Sequence, residues 1–139
     1  MTLQIYEVID DAIAAKSKAD KIQVLRDNET WALKDLLRGT YDDTVSWLLP
    51  TGDPPFESPE EHNAPKSFHT IHKDFIYLVK GGKGEGMQTF RREKMFIDML
   101  EVVPPGDAKL LLLMKDKKQL GKGLTKKLVE EAFPNLIQK

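Results

Sequence analysis

The sequence predicts an all-α fold, a compact multi-helix bundle, from three observations. Apolar residues recur at helical spacing in about seven segments. Clusters of Gly and Pro separate those segments, and no β-branched run has a second one to pair with.

In the first segment, Leu3 to Ala15, Ile5, Val8, Ile9, Ala12 and Ile13 lie on one side and Glu7, Asp10 and Asp11 on the other. Ser17 followed by Asp20 reads as an N-cap with an acidic first turn, opening a second helix with Ile22 and Leu25 inward. A third helix is expected from Thr30, burying Leu33, Leu36 and Leu37 and stopping at Gly39, with Asp43 to Leu49 adding a short turn before Pro50. Trp31 and Trp47, flanked by helical apolar residues, are expected in the core. Residues 50 to 65 contain five prolines and three glutamates with Phe56 as the one large apolar residue, which predicts a long acidic loop.

The second half continues the pattern. Phe68 to Lys80 is predicted helical, with Ile71, Phe75 and Leu78 inward, and Gly81 to Gly86 ends it. Met87 to Val103 is the longest predicted helix, with Phe90, Ile97, Leu100 and Val103 facing the core and Arg91, Lys94, Asp98 and Glu101 facing out. Pro104 to Asp107 restarts the chain into a helix over Ala108 to Lys117. Its Leu110 to Met114 run favours helix over strand because Leu and Met are helix formers. Gly121-Lys122-Gly123 breaks the chain again, and Leu124 to Phe133 is the last helix before Pro134.

With 139 residues the chain has the size of one domain, spanning 1 to 139. The absence of cysteine excludes disulfides, thiol nucleophiles and zinc ribbons. Leu110 to Met114 is too short to cross a bilayer, and Met1-Thr2-Leu3-Gln4 lacks the basic start of a secretory signal, so a cytoplasmic location without membrane contact is expected. The net charge of −1 conceals an asymmetry: residues 1 to 65 hold 6 basic against 13 acidic side chains, and residues 66 to 139 hold 15 against 9. The second half can meet a polyanion that the first half repels.

No catalytic centre can be assembled. Neither Gly82-Lys83-Gly84 nor Gly121-Lys122-Gly123 is followed by the hydroxyl of a phosphate-binding loop, so no nucleotide cofactor is expected. His69 and His72 share a helical spacing but lack a clear third ligand, so no metal is expected either. The strongest constellation runs from Lys109 to Lys127, where seven lysines surround the second Gly-Lys-Gly turn. Glycines let backbone approach a phosphate, a following helix start offers free amides, and lysines supply charge.

Those residues resemble the N-terminal DNA-binding domain of ATP-dependent DNA ligases. The likeness lies in Leu111 to Met114, Lys115-Asp116, Leu120-Gly121, Gly123-Leu124-Thr125 and the closing Phe133-Pro134-Asn135-Leu136-Ile137, and more loosely in Lys18 to Lys21 and the Gly81 to Gly86 turn. The chain is also similar to small uncharacterised proteins of large tailed bacteriophages, which would place it in a host cytoplasm. The ligase resemblance implies a helical domain that grips double-stranded DNA along the minor-groove side. It nominates Lys117, Lys118, Gly121, Lys122, Gly123, Thr125 and Lys126, with Lys83 and Gly84 as a second patch. No Asp-Gly dipeptide occurs, so the adenylated-lysine motif of a ligase is missing and nick sealing is excluded. The rival expectation is a regulator that docks on a replication, repair or host protein through the acidic half and the proline-rich loop, without DNA.

Overall fold

A computed structural model describes residues 3 to 137 of the chain; Met1 and Thr2, part of the stretch read above for a secretory signal, lie outside them. Among the described residues there are seven α-helices and no β-sheet, which is the all-α bundle expected. The helices are α1 (Ile5–Ala14), α2 (Lys18–Asp27), α3 (Trp31–Tyr41), α4 (Phe68–Ile71), α5 (Thr89–Val102), α6 (Pro105–Lys115) and α7 (Lys126–Ala132). None of the described helices is long and apolar enough to cross a membrane.

Local chemistry sets the helix ends. Ser17, Thr30 and Thr125 each accept the N–H of the third residue on, from Asp20, Leu33 and Leu128, supplying partners for the starts of α2, α3 and α7. The end of α1 is closed from outside: the Lys21 ammonium donates to the carbonyls of Ala12, Ile13 and Ala15 at 2.8 to 3.0 Å. Arg26 does the same for α7 by donating to the carbonyls of Glu131 and Ala132.

The leucine-rich α6 is the central element, packed against α1, α3 and α5, which is why an unbroken apolar run serves as helix rather than strand. Leu36, Leu100, Leu111 and Met114 are fully buried. Truncating any one of them to alanine costs about 2–5 kcal/mol. Asp107, in the first turn of α6, is buried as well and accepts the backbone N–H groups of Tyr6 and Phe68, tying the starts of α1 and α4 to α6. Burial pushes its carboxyl up to about 6 despite the opposing Phe68 hydrogen bond.

Five sequence expectations give way to tertiary contacts. Phe68 to Lys80 is not one helix: α4 stops at Ile71, a 3-10 turn covers His72–Tyr77 and ends at Leu78, and Val79 leaves the helical path to form a bridge. The competing interaction is an antiparallel bridge between Trp47 and Val79, flanked by Leu48 N–H to Leu78 carbonyl and Lys80 N–H to Ser46 carbonyl bonds, so the turn expected over Asp43 to Leu49 is confined to Asp43 and Thr44. Helix α3 runs two residues past Gly39, because the Trp47 indole donates to the Gly39 carbonyl and lies where a Cβ would sit, 2.6 Å from its Cζ2. Trp31 is 74 % exposed rather than core, at the outer end of α3. Phe90 is 62 % exposed, since the buried face of α5 is Arg92, Phe96, Met99 and Leu100, rotated to bring the Arg92 guanidinium inward. Smaller shifts affect α6, which starts at Pro105, and α7, which starts only at Lys126.

Candidate nucleic-acid interface

The lysine hairpin joining α6 to α7 is built on three fixed points. Lys117 takes the left-handed position after α6 (φ 58°), with Lys118 N–H returning to Leu113 carbonyl and Lys117 N–H to Met114 carbonyl, the bond pair that closes a helix. A left-handed lysine costs about 1 kcal/mol against glycine. It is held by its ammonium, which donates to the carbonyl of Asp42 at 2.6 Å and so joins the ends of α3 and α6. Next, the buried Tyr41 hydroxyl accepts the Leu120 N–H at 3.1 Å and donates to the Leu124 carbonyl, spanning the Gly-Lys-Gly turn from beneath. Its burial pushes the phenol upward, so it stays a donor at neutral pH. Finally, Gly123 adopts φ +82° beside the Lys21 side chain, and Gly121 lies against Ile13.

These constraints divide the nominated residues. Lys118 and Lys122 are exposed and make no ion pair among the described residues, and the same holds for neighbouring Lys127. Lys117 points inward, and burial lowers its ammonium against the pull of Asp42 and Asp43. Lys126 pairs with Asp43 at 3.0 Å, and that hydrogen bond raises its pKa. The Thr125 hydroxyl is occupied by the α7 cap. Helix α7 has only seven residues, so little dipole stands behind its amides. Lys115, at the base of the hairpin, is buried with its three donors on Pro50 carbonyl, Gly52 carbonyl and Asp116.

The other Gly-Lys-Gly turn has a different construction. Gly84 is buried against the Tyr77 carbonyl, and the Arg92 guanidinium donates to the carbonyls of Gly84, Glu85 and Met87. The N–H groups of Gly81, Gly82, Glu85 and Met87 all bond within the turn or its stem. Lys83 projects from it, exposed and without an ion pair among the described residues. Each turn meets the segment after α3 at its own end: Lys117 and Lys126 reach Asp42 and Asp43, whereas Arg92 reaches the Leu48 carbonyl.

The histidines go to three separate places. His69 bonds the Leu3 carbonyl, His72 sits 2.6 Å from Asp35, and His62 lies in solvent beside Glu60. The proline-rich segment is fastened rather than loose, by Lys115 at its start, by Phe56 against the core, by Glu57 N–H on Glu101, and by a Tyr6 to Glu61 hydrogen bond. Tyr41, Lys21 and Asp43, which shape the lysine turn, were missed by sequence reasoning. Asp42-Asp43 directly after a helix was the available signal, since an acidic pair at a negative helix end needs cations nearby.

A family model described as a family of unknown function (DUF6433) matches residues 8 to 122, from α1 through α6 into the lysine turn. The chain belongs to the DUF6433 family. No curated protein and no solved structure matches it. The DUF6433 match ends at Lys122, so the part of the hairpin from Gly123 onward and α7 lie beyond it.

Proposed function

We propose that this DUF6433 protein is a non-catalytic accessory of DNA transactions that holds duplex DNA weakly by its phosphates. The observation that carries this reading is the group Lys118, Lys122 and Lys127: exposed, unpaired among the described residues, and mounted on a turn braced by Tyr41. A preformed loop loses little entropy on binding. Lysines on such a turn favour phosphate contacts, which position a protein but carry no sequence information, and the one amide beside them, Gln119, already donates to the Gly121 carbonyl. The ligase resemblance of the same residues supports the reading, while the acidic first half keeps the contact confined to this end of the molecule.

Three phosphate contacts give a salt slope of about −3 in log K against log salt, and an affinity on the order of 10⁻⁴ to 10⁻⁶ M at physiological salt. The test is a fluorescence titration of labelled duplex DNA at two salt concentrations, with the wild type and with Lys118, Lys122 and Lys127 all changed to Glu. Binding by the wild type that the variant loses, with unchanged circular dichroism, is the expected result. Equal titration curves for the two proteins would remove the hairpin from the function.

A further inference from the structure

A groove of about 630 Å³ lies between α3 and the 3-10 turn, apart from the lysine hairpin. Trp31 forms one wall, and Ile76 and Val79 form the other. Trp31 remains 74 % exposed even with the Lys34 ammonium 4.9 Å from its ring centre, and Ile76 is 40 % exposed. Large apolar side chains left in water around a concavity mark a contact surface rather than a fold requirement.

The charges of the groove say what covers it. Asp35 is engaged by His72 at 2.6 Å, and the Lys34 ammonium pairs with Glu29. Arg38 and Lys73, both exposed groove residues, have no partner for their side chains among the described residues. The free charge of the groove is therefore positive while its walls are apolar. We propose that it docks an acidic amphipathic segment of a partner protein, with large apolar side chains on Trp31 and Ile76 and carboxylates on Arg38 and Lys73. Duplex DNA fits the site less well, because two cations beside a concave apolar wall offer little phosphate neutralisation. The chain's own acidic proline-rich segment has suitable chemistry but is already tied down by Lys115 and by Glu101. Trp and Arg are the residue types that most often dominate binding energy at such contacts.

The probe is a short fluorescein-labelled peptide alternating glutamate with leucine, titrated against the full chain and followed by anisotropy and by tryptophan emission. The wild type should bind it with a blue shift. Trp31→Ala should weaken binding by at least about tenfold, a typical loss for a central aromatic contact. A double variant, Arg38→Glu with Lys73→Glu, should lose the acidic peptide and gain one carrying lysine in place of glutamate. Because these side chains are exposed, both variants should keep the wild-type circular dichroism, and either alone decides the matter should the other fail to fold. Absence of binding, equal affinity for the acidic and basic peptides, or indifference to both variants would overturn the proposal. So would displacement of the peptide by duplex DNA, or sedimentation showing that a second copy of the chain occupies the groove.

Discussion

The tripeptide Gly-Lys-Gly occurs twice in this chain, at 82 to 84 and at 121 to 123, and the two copies are put to different uses. In the first, the backbone turns its carbonyls inward onto Arg92 and a buried glycine makes room for Tyr77. In the second, a tyrosine hydroxyl holds the turn from below, and the glycines serve a left-handed bend and a contact with Ile13. Glycine lets backbone approach something closely, but the structure around it decides whether that something is the protein itself or a ligand.

Between the two turns, the larger expected effect falls on the first. At Gly84 a Cβ would stand 1.8 Å from the Tyr77 carbonyl oxygen, where only backbone movement can relieve it. Gly84→Ala should cost about 2–3 kcal/mol in urea denaturation, as overpacking does. Two residues on, Gly86 has nothing within 4 Å and a negative φ, so Gly86→Ala should be nearly neutral. Similar losses at the two positions would break the account of the first turn.

Such measurements need a fixed pH, because Asp107 adds its own dependence. Its folded pKa is raised from 3.8 to about 6, so the folded state binds the proton more tightly than the unfolded one. Its contribution to stability is therefore present at low pH and is lost as pH rises from about 4 to about 6, by about 2–3 kcal/mol in all. Asp107→Asn, compared with wild type across that window, should abolish this slope. An unchanged slope would assign it to other groups.

For the second turn, Tyr41→Phe removes the partner of Leu120 N–H and of Leu124 carbonyl and should cost about 1–2 kcal/mol. Amide exchange should quicken at Leu120 in particular, and unchanged exchange there would mean that the brace does not hold the turn. Gly123→Ala should cost about 1 kcal/mol through its positive φ. Gly121→Ala should cost less, since the obstacle is the flexible end of Ile13.

Elements whose partners are local were legible in the sequence. The cap at Ser17, the start of α3 near Thr30, the apolar face of α1 and the helical reading of Leu110 to Met114 all follow from spacing and propensity. Elements decided by distant partners were not. Leu78 to Lys80 leave the helical pattern to pair with Ser46 to Leu48, and Arg92 replaces Phe90 on the buried face because carbonyls elsewhere need a donor. The candidate site was legible in its lysines as a group. It was not legible in which of them stay free, because Asp42 and Asp43 lie more than seventy positions from the lysines they engage.

The DNA contact proposed above lies on the second Gly-Lys-Gly turn and not on the first. Lys122→Glu and Lys83→Glu change the same charge in the same tripeptide, at two exposed positions. Titrating labelled duplex DNA with each variant over a range of salt concentrations compares the two turns directly. Lys122→Glu should weaken binding and flatten the salt slope by about one unit, as loss of one phosphate contact does, whereas Lys83→Glu should leave the slope as in the wild type. A slope flattened equally by both variants, or by Lys83→Glu alone, would contradict the account.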